Sequence, residues 1–257
     1  MLTDTVSAVV LAGGQASEEL MAATGHANRA LIQIGDLSML DLVVKALVMA
    51  KTVGEIVVVG DVPKSGDYRI VPAKGDLFEN LSAGIESFGP SDGGSILVST
   101  SDIPFITPQA IDDFVVQSQR RNAHICYPIV PMDIYNEKFA GMKRTTLKLR
   151  EGKFTGGNVM LIDGGFAARH GDQIRQAYNA RKEVLKLGAM LGPKILFRIL
   201  LSQTLAPNLL DLAMLEDAVS RLLSGAHVAA IITQFAEIGT DVDKVADVEY
   251  ARQHFGE

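Results

Sequence analysis

The chain reads as an α/β protein: a doubly wound, mixed but mostly parallel sheet, helices on both faces, and a helical insertion toward the C-terminus. Three observations predict this. From Ser7 onward, short and almost unbroken apolar runs alternate with segments of helical spacing. The runs ending at Ala12 and Ser99 lead into loops of unusual composition, as at the ligand-binding edge of such sheets. Between Gly164 and Leu223 the strand signal disappears and the pattern is almost wholly helical.

Taken in order, Ser7 to Ala12 is a strand buried on both faces, closed by Gly13-Gly14. Leu40, Val43, Val44 and Leu47 recur at helical spacing. Glu55 to Val59 is a second buried strand, closed by Gly60-Asp61, and Leu77, Leu81, Ile85 and Phe88 mark the next helix. Ser95 to Ser99 is a third strand. Thr107-Pro108 then opens a helix with an N-cap and a proline in the first position, its apolar face carried by Ile111, Phe114 and Val115. Ile125 to Val130 gives a strand before Pro131, and Asn158 to Asp163 another. In the helical stretch Leu212, Leu215, Val219 and Leu222 share a face; Val228 to Thr233 is the last strand, before a terminal helix reaching His254. Residues 1–257 read as a single domain, with 164–223 as a helical insertion within it.

Composition narrows the function. Hydrophobic residues make up 47% and charged residues 21% of the 257, a globular profile. The net charge of −6 argues against nucleic acid as a partner, so any phosphate must be held by a local site. No apolar run approaches the ~20 residues that span a bilayer, and no basic leader precedes the first strand; the expected location is the cytoplasm, with no membrane partner. Cys126, the one cysteine, lies in an apolar run and reads as a small buried hydrophobe. The five histidines show no ligand spacing.

Three segments are candidates for chemistry. Leu11-Ala12-Gly13-Gly14 puts glycines directly after a buried strand, where the backbone either makes a tight turn or turns its amides toward phosphate oxygens. It has neither Walker nor dinucleotide-binding spacing. In Thr100-Ser101-Asp102-Ile103-Pro104-Phe105, Asp102 stands just past a central strand, expected in solvent, either capping a turn or offering a hard oxygen to Mg²⁺. In Gly239-Thr240-Asp241-Val242-Asp243, carboxylates at i and i+2 share a side of an extended stretch; either can complete a metal site with Asp102, and Asp243 can also N-cap the last helix.

These segments, with Asn28-Arg29-Ala30-Leu31 and Ile34-Gly35, resemble the MobA-like NTP transferases, the nucleotidyltransferases of the molybdenum-cofactor guanylyltransferase type with a Rossmann-like, GT-A-like fold. The resemblance covers about Ser7 to Phe105, Gly156 to Asp163 and Ile238 to Ala251. It implies a nucleotidyltransferase that moves an NMP group from an NTP, GTP or CTP, to a small phosphorylated acceptor and releases pyrophosphate. Leu11, Ala12, Gly13, Gly14 and Asn80 would then bind nucleotide, and Arg29, where the family usually has lysine, would contact the triphosphate. Asp102 would be catalytic and, with Asp243, would hold Mg²⁺; Thr155, Gly157 and Asn158 would line the acceptor pocket.

Two departures stand out. Where the family's loop carries an arginine soon after the glycines, this chain has Gln15-Ala16-Ser17-Glu18-Glu19, which puts carboxylates near the expected triphosphate. Arg29 also exchanges a point ammonium for a planar fork. Lys143 to Lys153 holds five cations in eleven residues; it reads as a solvated hairpin edge, or alternatively as a basic rim for a phosphorylated acceptor. Two other functions stay open: a degenerate member that binds nucleotide as a regulator, and a GT-A glycosyltransferase using a nucleotide sugar, for which Asp241-Val242-Asp243 spells the metal motif.

Overall fold

The structure, a computed structural model, describes residues 5–64, 66–89, 94–180, 190–204 and 207–256. β1 (Val6–Leu11) leads through α1 (Glu18–Thr24), a 3-10 turn at Arg29–Leu31 and the short pair β2 (Gln33–Ile34) and β3 (Leu37–Ser38) to α2 (Met39–Met49). β4 (Val53–Val59), β5 (Arg69–Val71), α3 (Leu77–Glu86), β6 (Ser95–Thr100) and α4 (Pro108–Arg121) follow. Next come β7 (Ile125–Pro131), α5 (Met132–Lys138), the hairpin β8 (Leu147–Leu149) and β9 (Gly152–Gly156), and β10 (Val159–Asp163). Helices α6 (Gly164–Arg169), α7 (Gly171–Ala180), α8 (Pro193–Thr204) and α9 (Leu212–Leu222) precede β11 (Val228–Ile232) and α10 (Val245–Gly256). Residues 181–189 and 205–206 of the expected helical stretch lie outside the described residues.

Nine strands form one sheet in the order β5-β4-β1-β6-β10-β7-β9-β8, with β11 beside β7. β1 pairs in parallel with β4 on one side and β6 on the other, while β10 runs antiparallel between β6 and β7. β11 is parallel to β7, and the β8–β9 hairpin pairs antiparallel with the C-terminal end of β7. This is the mixed, mostly parallel sheet expected. The chain leaves β1 toward β4 and β5 and returns on its other side as β6, so the loops after β1 and β6 meet at the switch point.

Period-two alternation along β1 divides the core into two layers. Ala8, Val10 and Ala12 pack with α2, α4 and α10, whereas Val9 and Leu11 pack with Leu81 of α3 and Phe166 of α6. Capping boxes start α2 (Ser38 with Asp41) and α3 (Asp76 with Glu79), satisfying amides the first helical turn leaves free. Thr107 caps α4, as its Thr-Pro start implies. Phe88, expected on α3, lies past its end. Leu149, Phe154 and Leu210 form a separate cluster that seats the hairpin against α8 and α9. Among the described residues no helix is long and apolar enough to cross a membrane.

The close approach of β4 to β1 depends on a glycine. Ala12 donates its N–H to the Val59 carbonyl at 2.8 Å, and a Cβ on Gly60 would lie 2.7 Å from the Ala12 carbonyl oxygen, which is backbone and cannot rotate away. Gly60→Ala is expected to lower stability by about 1–3 kcal/mol, the range for overpacking a close-packed site. Urea unfolding checks this; an unchanged midpoint contradicts the account of the β1–β4 junction.

Candidate active site

The site begins with a loop tied shut at its base. After β1 the chain runs through Gly13-Gly14, makes α1, and returns to Asn28. There Ala16 N–H donates to Ala27 O at 2.7 Å, and Gln15 and Asn28 form a β-bridge. Asn28 finishes the closure with its side chain: Nδ2 donates to Ala12 O at 2.9 Å, while Oδ1 accepts from Ala30 N–H at 3.0 Å. Arg29 N–H then donates to Gly14 O at 2.9 Å, so the excursion delivers Arg29 back to the glycine turn. A Cβ on Gly14 would come within 3.1 Å of Arg29 Nη2, and one on Gly13 within 3.0 Å of Asn80 Nδ2. The two glycines leave room for the two side chains that flank the turn.

Asp102 and Asp243 arrive from the other side. Ser101 N–H donates to Leu11 O at 3.2 Å, which holds the loop after β6 against the end of β1. Val242 N–H donates to Asp102 O at 2.8 Å, which hooks the C-terminal turn onto the same loop. Arg29 Nη1 contacts both carboxylates: Asp102 Oδ2 at 3.1 Å, and Asp243 Oδ1 in a direct hydrogen-bonded ion pair. Asp102 is only 8% exposed, which corrects the expectation of a solvent-facing carboxylate; the Val242 contact and the packing of Ile103 and Phe105 draw its loop inward. Its Oδ1 and the Arg29 Nε are buried without a hydrogen-bond partner among the described residues.

Asn80 is buried in the first turns of α3, accepting from Lys74 N–H at 2.8 Å and donating to Gly75 O at 3.4 Å, with Nδ2 against Gly13. The segment proposed for the acceptor lies beside the β6 end: Thr100 N–H donates to Asn158 O at 3.2 Å, and Asn158 N–H to Ile238 O at 2.9 Å. Thr155 is buried, and Gly157 is pressed so closely on Pro128 that a Cβ would sit 2.6 Å from its Cγ. The Asn158 Nδ2 donor and the Thr100 hydroxyl are buried and have no hydrogen-bond partner among the described residues. The glycine turn, Arg29, Asn80, Asp102 and Asp243 therefore share one place, with Thr155, Gly157 and Asn158 adjoining it.

Other expectations resolve differently. Of the two carboxylates that could complete the site, Asp243 is the one beside Asp102, ion-paired with Arg29, while Asp241 is ion-paired with Arg144. The Asp243 side chain does not cap the last helix; Asp247 Oδ2 accepts from the Asp243 and Lys244 amides at 3.2 and 3.0 Å. Glu18 and Glu19 are exposed in the first turn of α1, behind the Ser17 N-cap, where carboxylates complement the helix dipole. Their presence after the glycines thus has a local structural reason. In the basic stretch, Arg144, Lys148 and Arg150 are already engaged by Asp241, Gln203 O and Asp211, and the stretch forms the edge hairpin. Cys126 is buried, and burial pushes its thiol pKa up. The roles of Asn28 and Arg144 do not show in the sequence, since Asn28 acts through a backbone carbonyl and Arg144 is one charge in a basic run.

Among the described residues no cluster of three or more His, Cys, Asp or Glu side chains is assembled for a metal. The Asp102–Asp243 pair nevertheless fits a hard cation whose remaining oxygens come from ligand: both carboxylates converge on one guanidinium nitrogen, and Asp102 Oδ1 has no partner among the described residues.

Comparison with known proteins agrees with this architecture. The profile of the MobA-like NTP transferase domain matches residues 8–188. A hypothetical transferase from Thermus thermophilus is similar at 33% identity, covering 95% of this chain and 99% of that chain, with a TM-score of 0.83. CMP:2-keto-3-deoxy-manno-octonic acid synthetase complexed with CTP shares the fold at 10% identity, 99% coverage of both chains and a TM-score of 0.59. So does 2-C-methyl-D-erythritol 4-phosphate cytidylyltransferase from Thermus thermophilus, at 12% identity, 97% and 98% coverage and a TM-score of 0.55. No curated protein matches the chain. With more than half its length under the family profile and a third of its residues identical to one solved relative, the chain belongs to the MobA-like NTP transferase domain family, a family of nucleotidyltransferase type.

Proposed function

We propose that the protein transfers an NMP group from an NTP to a small phosphorylated acceptor and releases pyrophosphate. One observation carries this reading: Arg29, brought back to the Gly13-Gly14 turn, meets Asp102 and Asp243 at the switch point of the sheet. A triphosphate along that turn would have backbone amides on one side and the guanidinium on the other. CTP is bound in one protein that shares this fold, and the family resemblance adds GTP; these two are the nucleotides to try first.

The reaction asks little covalent chemistry of the protein. An oxygen of the acceptor phosphate attacks the α-phosphorus as the bond to the bridging oxygen breaks, and pyrophosphate leaves with that electron pair. Arg29 is the one lysine or arginine between Ser7 and Leu40, so charge on the leaving group falls to it. Asp102 and Asp243 would hold Mg²⁺, which neutralises phosphate charge when bound. On the acceptor side, Asn158 Nδ2 and the Thr100 hydroxyl, without a partner among the described residues, are the donors that an anionic acceptor would meet.

Pyrophosphate release, measured with each of the four NTPs, Mg²⁺ and a panel of small phosphorylated acceptors, tests the proposal. Turnover dependent on both NTP and acceptor is expected. Tight NTP binding with no turnover in any combination would place the protein among nucleotide-binding regulators instead. Arg29→Ala is expected to lower turnover by about 10²- to 10³-fold, as for loss of one positioned charge-stabilising donor. Asp102→Ala is expected to abolish Mg²⁺-dependent turnover. Because Asp102 is buried and paired, its variant is compared by a circular-dichroism melt as well; wild-type turnover in a folded variant removes Asp102 from the metal site.

A further inference from the structure

We propose that Arg29 is a built-in substitute for the divalent cation: it closes the Asp102–Asp243 pair to free metal and leaves only when nucleotide phosphates take its guanidinium. This rests on the reading of the site as one for a metal-bound NTP.

The geometry sets the conflict. A single atom, Arg29 Nη1, touches both carboxylates. A magnesium-like ion needs its oxygens about 2.0–2.1 Å away, so it cannot share with a guanidinium the point on which Asp102 and Asp243 converge. Charge makes the occupant necessary. Two carboxylates on one guanidinium nitrogen repel unless a cation lies between them; the Asp243 side chain is 49% exposed and screened by water, but Asp102 is 8% exposed, so the cation matters most there.

The same arrangement is only partly satisfied, which is what allows it to give way. Arg29 Nε and Asp102 Oδ1 are both buried without a partner among the described residues. A phosphate group accepts a guanidinium through two parallel N–H bonds, so a nucleotide at the glycine turn offers the arginine a competing partner that can also satisfy its Nε. The path is short, since the guanidinium already lies on the Cβ-free face of Gly14, with 26% of the side chain exposed. Once it turns to phosphate, both carboxylates are free for the metal. Nucleotide and divalent cation then bind as a coupled pair, each raising the affinity for the other by the same factor.

The test is Mn²⁺ binding to the full-length protein without nucleotide, followed by the electron paramagnetic resonance of free Mn²⁺. Arg29→Gln is expected to bind Mn²⁺ about tenfold or more tightly than wild type, the least that losing a positive charge in contact with both ligands gives at intermediate dielectric. The double variant Arg29→Gln, Asp102→Asn should lose that gain. Equal affinities in wild type and Arg29→Gln overturn the inference. A melt verifies the fold, and Arg29→Met, which keeps the apolar stem, repeats the comparison if the glutamine variant is unstable. The two proposals fail separately. Turnover without a gain in Mn²⁺ affinity leaves the nucleotidyltransferase reading standing and removes this one; a gain in affinity without any turnover does the reverse.

Discussion

Asp102, buried, and Asp243, half exposed, meet on one guanidinium at the end of the sheet, and Arg29 is the charge that ties them together. Three separate chain segments exist in their observed form around this cluster. The excursion from Gly13 to Asn28 returns on itself through the Ala16–Ala27 hydrogen bond and the Asn28 side chain, and so presents Arg29. The loop after β6 is held against β1 by Ser101, and the C-terminal turn is hooked to that loop by Val242. A change in any of these ties moves a charge, and the cost falls on all three.

The sheet supplies the stage. Parallel pairing of β1 with β4 and β6 places two loop-bearing strand ends side by side, and the reversal of direction at β1 opens the gap between them. Small residues set how close the parts come. Gly60 lets β4 meet Ala12, while Gly13 and Gly14 make room for Asn80 and Arg29. The glycines of this turn are thus explained by the side chains beside them, independently of any phosphate.

Much of this is legible in the sequence because its cause is local. The buried strands announce themselves as apolar runs, α4 by Thr107-Pro108, and the site by glycines and an aspartate directly after two of those runs. What escapes depends on contacts between distant segments. By its position Asp102 belongs in solvent, and only the Val242 tie and the packed Phe105 explain its burial. By spacing Asp241 and Asp243 share a side, and either can complete a metal site; Arg144, from a loop remote in sequence, takes Asp241, and Arg29 takes Asp243. Short elements such as α1 and β5 carry too few buried residues to show a period; in α1 only Leu20 is buried. The acidic pair Glu18-Glu19, set against a family pattern, looks like a lost phosphate clamp. Beside the Ser17 cap, it is an ordinary first helical turn.

The central claim is that one cleft holds nucleotide, arginine and metal together, and a crystal structure with a non-hydrolysable NTP analogue and Mg²⁺ tests it most directly. The account predicts the triphosphate along Leu11 to Gly14, the Arg29 guanidinium on phosphate oxygens, and Mg²⁺ on Asp102 and Asp243. A nucleotide bound elsewhere, or one bound at the turn while Arg29 still bridges the two carboxylates, would contradict it.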